Sequence, residues 1–117
     1  MIYKLTRKHF NIFCNECRQF QQIWGINGWD ITFEHKKLEV GDYAQVVTDY
    51  EQHAVLVTLA REWDKEPNND ELKNTAKHEM IHVLMGKMRG VALSRFISED
   101  ELKATEHDTV NILCKIL

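Results

Sequence analysis

Two histidines four residues apart, His78 and His82, enclose a glutamate in the run His78-Glu79-Met80-Ile81-His82. On a helix this spacing brings both imidazoles to one face, about a turn apart. That is the reach of two nitrogen ligands to one Zn2+. Glu79, beside the first ligand, is placed to take a proton from water at an open coordination position without itself binding the metal. Such a trio suits hydrolysis of a peptide bond, with the metal acidifying water and polarising the carbonyl and Glu79 serving as general base. The competing explanation is a core helix whose two histidines are merely hydrogen-bonded or exposed. The neighbours argue for a metal-bearing helix packed in a core. Thr75, Ala76, Met80, Ile81, Val83 and Leu84 are all uncharged, and no glycine or proline falls between Asp70 and Met85.

Catalytic zinc takes three protein ligands and leaves one position open, so a third donor is needed. Glu106 is the candidate. In the C-terminal segment Leu102, Glu106, Thr109, Val110, Leu113 and Leu117 fall on one helical stripe, of which Glu106 is the charged member. A carboxylate buried without a partner is costly, and a cation beside it offsets that cost. His107 is the alternative ligand, about 100° round the helix, beside Lys103, Asn111 and Cys114. Tyr43, Tyr50, His53 and His107 are the side chains that could offer a donor to a tetrahedral oxyanion.

The elements that must hold these residues are legible from hydrophobic period. Phe10, Phe13, Cys14, Cys17, Phe20 and Trp24 recur at three- and four-residue spacing, which predicts a helix from Thr6 to Trp24 broken by Gly25 to Gly28. Trp29, Ile31 and Phe33 alternate with polar residues, as a half-buried strand requires. Tyr43 to Tyr50 and His53 to Ala60 read as an antiparallel hairpin after a Gly41-Asp42 turn. A helix capped at Asn69 or Asp70 carries the histidines to Met85 and stops at Gly86. Lys87 to Ile97 reads as a connection, and Ser98-Glu99-Asp100-Glu101 is a capping box that opens the last helix. The predicted fold is α+β, with an N-terminal helix, a three-stranded sheet containing a hairpin, the histidine-bearing helix and a C-terminal helix.

Thr75 to Leu84 resembles the extended zincin signature, and a downstream helical glutamate resembles the gluzincin branch. The layout is more closely similar to small metallopeptidases of phage and prophage genomes. The similarity covers roughly residues 24 to 117. Trp29-Asp30-Ile31-Thr32-Phe33 resembles their opening strand, and Tyr43-Ala44-Gln45-Val46 with Ala54-Val55-Leu56-Val57-Thr58-Leu59 the pair that follows. Ser98 to Leu102 leading into Ala104-Thr105-Glu106-His107 resembles their closing helix. Where that group often has a second acidic residue after the glutamate, this chain has His107. The resemblance implies a zincin-like domain and a zinc site of His78, His82 and Glu106. It also implies an edge strand, within the hairpin, that pairs with extended substrate.

With 117 residues, 44% hydrophobic and 28% charged, the chain is expected to fold as one domain over residues 1–117. A net charge of −3 and scattered lysines and arginines argue against nucleic acid. No apolar run is long enough for a signal peptide or a membrane span, so a cytoplasmic location without membrane contact is expected. Three cysteines make a poor disulfide framework. Cys14 and Cys17 have the spacing of half a structural zinc site, but they fall on the apolar stripe and Cys114 stands alone. The expected partners are a peptide or protein substrate and, given so short a chain, a regulatory protein. The alternative function is a non-catalytic, metal-stabilised zincin-fold interaction module.

Overall fold

Thr6 starts the first helix. Its hydroxyl accepts from the His9 backbone N–H at 3.4 Å, and His9 Nδ1 accepts the Thr6 N–H at 2.9 Å. Two donors that a helix start leaves open are thereby satisfied reciprocally. Helix α1, Arg7–Trp24, ends at Gly25, whose φ of 67° is the left-handed conformation a glycine adopts without strain. The computed structural model describes residues 1–26, 28–39, 41–93 and 98–116.

Strands β2 (Asp30–Lys36), β3 (Ala44–Asp49) and β4 (Ala54–Ala60) form a mixed sheet in the order β2-β4-β3. The central β4 runs parallel to β2 and antiparallel to β3, and the expected hairpin joins β3 to β4. Its turn is held by the His53 N–H on the Tyr50 carbonyl at 3.1 Å and by Asp49 Oδ1 accepting the Gln52 N–H at 3.2 Å. His53 takes φ 51° there, the role glycine or asparagine fills in commoner turns. A second, two-stranded ribbon pairs β1 (Tyr3–Lys4) antiparallel with β5 (Glu62–Trp63). Strands of two residues are too short to show a period, so sequence pattern does not reveal them.

Helices α2 (Asn69–Leu93) and α3 (Glu99–Ile116) complete an α+β fold. Two boundaries of α2 differ from expectation. Its cap is Asn68, whose Oδ1 accepts the Glu71 N–H at 2.9 Å, rather than Asn69 or Asp70. It also runs through Gly86 to Leu93 instead of stopping at Met85, so Lys87 to Leu93 is helix and not connection. Gly86 serves contact there. A Cβ at that position would lie 2.8 Å from Thr48 Oγ1 of β3, so the missing side chain is what lets helix and strand approach. Residues 94–97 of the expected connection lie outside the described residues. Ser98 caps α3 as its sequence predicts, accepting the Glu101 N–H at 3.1 Å.

The core joins these elements. Phe13, Cys17 and Trp24 of α1, Ile31 of β2, Val55, Val57 and Leu59 of β4, and Leu72, Ala76, Met80 and Val83 of α2 are all buried. Trp63 is buried as well, and its indole N–H donates to the Tyr43 carbonyl at 3.1 Å, as a buried tryptophan requires. None of the described helices is long and apolar enough to cross a membrane.

Candidate metal centre

Helix α2 delivers its two histidines as the spacing predicts. His78 Nε2 and His82 Nε2 stand 3.2 Å apart, with ring centroids at 4.8 Å and planes at 78°. Both residues are exposed. Two nitrogens each about 2.0–2.1 Å from one tetrahedral ion are separated by roughly 3.3 Å. The observed separation therefore fits the bite of a single zinc ion, and with one ring protonated at Nε2 it equally fits a direct imidazole hydrogen bond.

Two contacts set where this pair lies. At one end, Lys65 Nζ bonds Glu71 Oε2 of the first turn of α2 at 2.7 Å and sits 4.4 Å from the centre of the Tyr43 ring, just before β3. At the other, Gly86 meets Thr48 near the end of β3. Helix α2 thus runs alongside β3 in the same direction, and His78 and His82 fall between the two anchors. His82 is one turn before Gly86 on the same helical face. The pair opens beside an edge strand of the sheet.

Glu79 behaves unlike its neighbours. It is only 6% exposed, and burial pushes its carboxyl above the usual range, against the pull of the nearby imidazoles of His78 and His82. It also lies close enough to Cys17 on α1 to help hold that thiol protonated, although burial is the larger cause. Cys17 is therefore an inert core residue, and burial likewise pushes Cys14 up to about 11.

Glu106 is placed differently from the stripe expected for it. Among the described side chains of α3 the inward ones are Thr105 and Thr109, both buried, followed by half-buried Ile112, while Glu106, His107 and Val110 are exposed. The physical reason is local. Thr109 Oγ1 donates to the Thr105 carbonyl at 2.9 Å, so the threonine hydroxyl is satisfied within the helix and its methyl can pack inward. Among the described side chains, Thr105 and Ile112 point inward where Glu106 and Val110 of the predicted stripe do not, and Thr109 belongs to both. The side chains of Leu102, Leu113 and Leu117, also assigned to that stripe, lie outside what is described. Among the described residues no three His, Cys, Asp or Glu side chains converge to hold a metal. The structure brings His78 and His82 together, with Glu79 buried at the neighbouring position, and does not gather Glu106 or His107 into a ligand set with the pair.

Three of the four candidate oxyanion donors are engaged elsewhere. Tyr43 donates its hydroxyl to Asp64 Oδ1 at 2.6 Å, and that bond raises its pKa. Tyr50 and His53 cluster with Trp29 at the hairpin turn, His53 stacking on the indole at 5.2 Å between centroids. Met85 is 43% exposed on the turn after His82. Comparison with protein-family models, with curated proteins and with solved structures returns no match, so the site is read from its own geometry.

Proposed function

We propose that the chain is a zinc-dependent metallopeptidase in which His78 and His82 hold the ion and Glu79 is the general base. The observation that supports this reading is the imidazole pair, whose 3.2 Å separation fits one tetrahedral ion, with the buried carboxylate of Glu79 at the adjacent position. When bound, zinc supplies a Lewis acid that makes water acidic near neutral pH. Glu79 takes the proton of the attacking water at its carboxylate and returns it to the leaving amine. The edge strand β3 alongside α2 offers backbone groups to an extended peptide substrate. The third protein ligand comes from α3, with Glu106 preferred to His107, and requires α3 to present a side chain that now faces solvent.

That outward Glu106 favours a second reading, a metal-stabilised zincin-fold interaction module without catalysis. The two readings part on one substitution. The zinc-loaded protein is expected to cleave an unfolded protein substrate, and Glu79→Gln is expected to lower kcat by about 100-fold or more. Equal rates in the two proteins would remove Glu79 from the chemistry, and inert but zinc-stabilised protein would establish the module.

A further inference from the structure

The helices pack on one face of the β2-β4-β3 sheet, and among the described residues no helix covers the other, which is exposed at the Asp30–Asp49 end and closes over Thr58 towards the far end. Register sets the rows on that open face: Asp30, Ala54 and Asp49, then Thr32, Leu56 and Val47, then Glu34, Thr58 and Gln45. A strand face turned to water ordinarily carries polar side chains. The middle row departs from this, since Leu56 lies at its centre with no helix above it and Val47 is 57% exposed. Around them is an open concavity of about 190 Å3 with Thr32, Val47, Ala54 and Leu56 in its lining and Asp30 and Asp49 on its rim. A cavity of about 150 Å3 accommodates a benzene ring, so the space suits one apolar side chain.

The rim is acidic. No lysine or arginine lines the concavity, and among the described residues neither aspartate enters an ion pair. Asp49 gives Oδ1 to the Gln52 N–H in the turn, and Glu34 extends the negative charge one row further. Lys36 lies a row beyond that, away from the lining. We propose that this face docks a protein partner whose contact segment presents one apolar side chain flanked by lysines or arginines. The apolar side chain fills the concavity over Leu56 and Val47, and the flanking cations meet Asp30 and Asp49. Charge complementarity selects such a partner, and pairing the face with its own copy would bring carboxylate against carboxylate. The small area makes the contact transient. The face lies on the side of the sheet away from α2, so docking there is independent of the metal.

The test is titration of 15N-labelled protein with three capped peptides of Lys-Leu-Lys, Lys-Ser-Lys and Glu-Leu-Glu cores, read by amide shifts. Saturable shifts are expected with Lys-Leu-Lys alone, confined to residues 30–34, 45–49 and 54–58, and weakening as salt is raised. Val47→Lys, and Asp30→Asn with Asp49→Asn, are expected to weaken binding by about tenfold or more. Their own spectra report whether each variant is folded. Absence of saturation, an equal response to Lys-Ser-Lys, or shifts on another surface would overturn the proposal. So would concentration-dependent self-association through this face without peptide.

Discussion

At the scale of the residue, the candidate site divides by exposure. His78 and His82 face solvent with their Nε2 atoms 3.2 Å apart, while Glu79 is withdrawn against α1. Exposed imidazoles remain free to take an ion, and a buried carboxylate is a stronger base than one in water. On α3, Glu106 and His107 are both exposed. If α3 supplies Glu106, Glu106→Gln weakens zinc binding by about 10- to 100-fold and His107→Ala changes it much less, as competition against a chelating dye would measure. The reverse ranking would assign the ligand to His107. The histidine pair and its glutamate were legible because a five-residue pattern on one helix has a single geometry. Glu106 was not: the stripe that held it ran through Thr109 to Val110, whereas Thr109 packs inward together with Thr105, its hydroxyl satisfied by the Thr105 carbonyl, and Glu106 and Val110 face outward.

At the scale of the element, period and capping carried most of the information. The Phe10–Trp24 stripe, the Ile31–Phe33 alternation and the Ser98 cap each became the element expected of it. The parallel pairing of β2 with β4 and the β1–β5 ribbon depend on partners distant in the chain, which local pattern does not encode. Gly86 shows how a local signal misleads. Glycine ends many helices, yet here it sits inside α2 because β3 leaves no room for a Cβ beside Thr48. Two opposing effects make a signed prediction. Alanine favours a helix interior by about 1 kcal/mol over glycine, but in this chain its Cβ meets Thr48 Oγ1 at 2.8 Å and Cγ2 at 3.3 Å on a stiff, β-branched side chain. Gly86→Ala is expected to destabilise the protein by about 1 kcal/mol, and in a Thr48→Ala background to stabilise it. Urea unfolding of the four proteins measures the cycle, and a stabilising Gly86→Ala in the parent would show that the contact is slack.

At the scale of the whole molecule, helices on one side of the sheet place the histidine pair beside edge strand β3 and leave the opposite face free. The two layers meet at His35 of β2, which stacks on Phe10 of α1 with centroids 5.1 Å apart and planes at 6°. Its Nε2 is buried without a partner, and Arg61 Nε donates to its backbone carbonyl at 3.1 Å. Burial first and the Arg61 charge second lower its pKa below the usual 6.5. A proton on His35 thus prefers the unfolded chain. The stability owed to the neutral ring is fully present above pH about 6.5 and is lost as pH falls through the depressed folded value. His35→Phe, which keeps the stack, is expected to flatten that acid limb in thermal unfolding followed across pH. An unchanged limb would place the acid sensitivity elsewhere. Whether α2 carries a metal site is read from the zinc content of the untagged protein after equilibration with zinc and removal of excess, by mass spectrometry. One zinc per chain is expected, absent in His82→Ala. A chain that retains none, or one whose content is indifferent to His82, would contradict it.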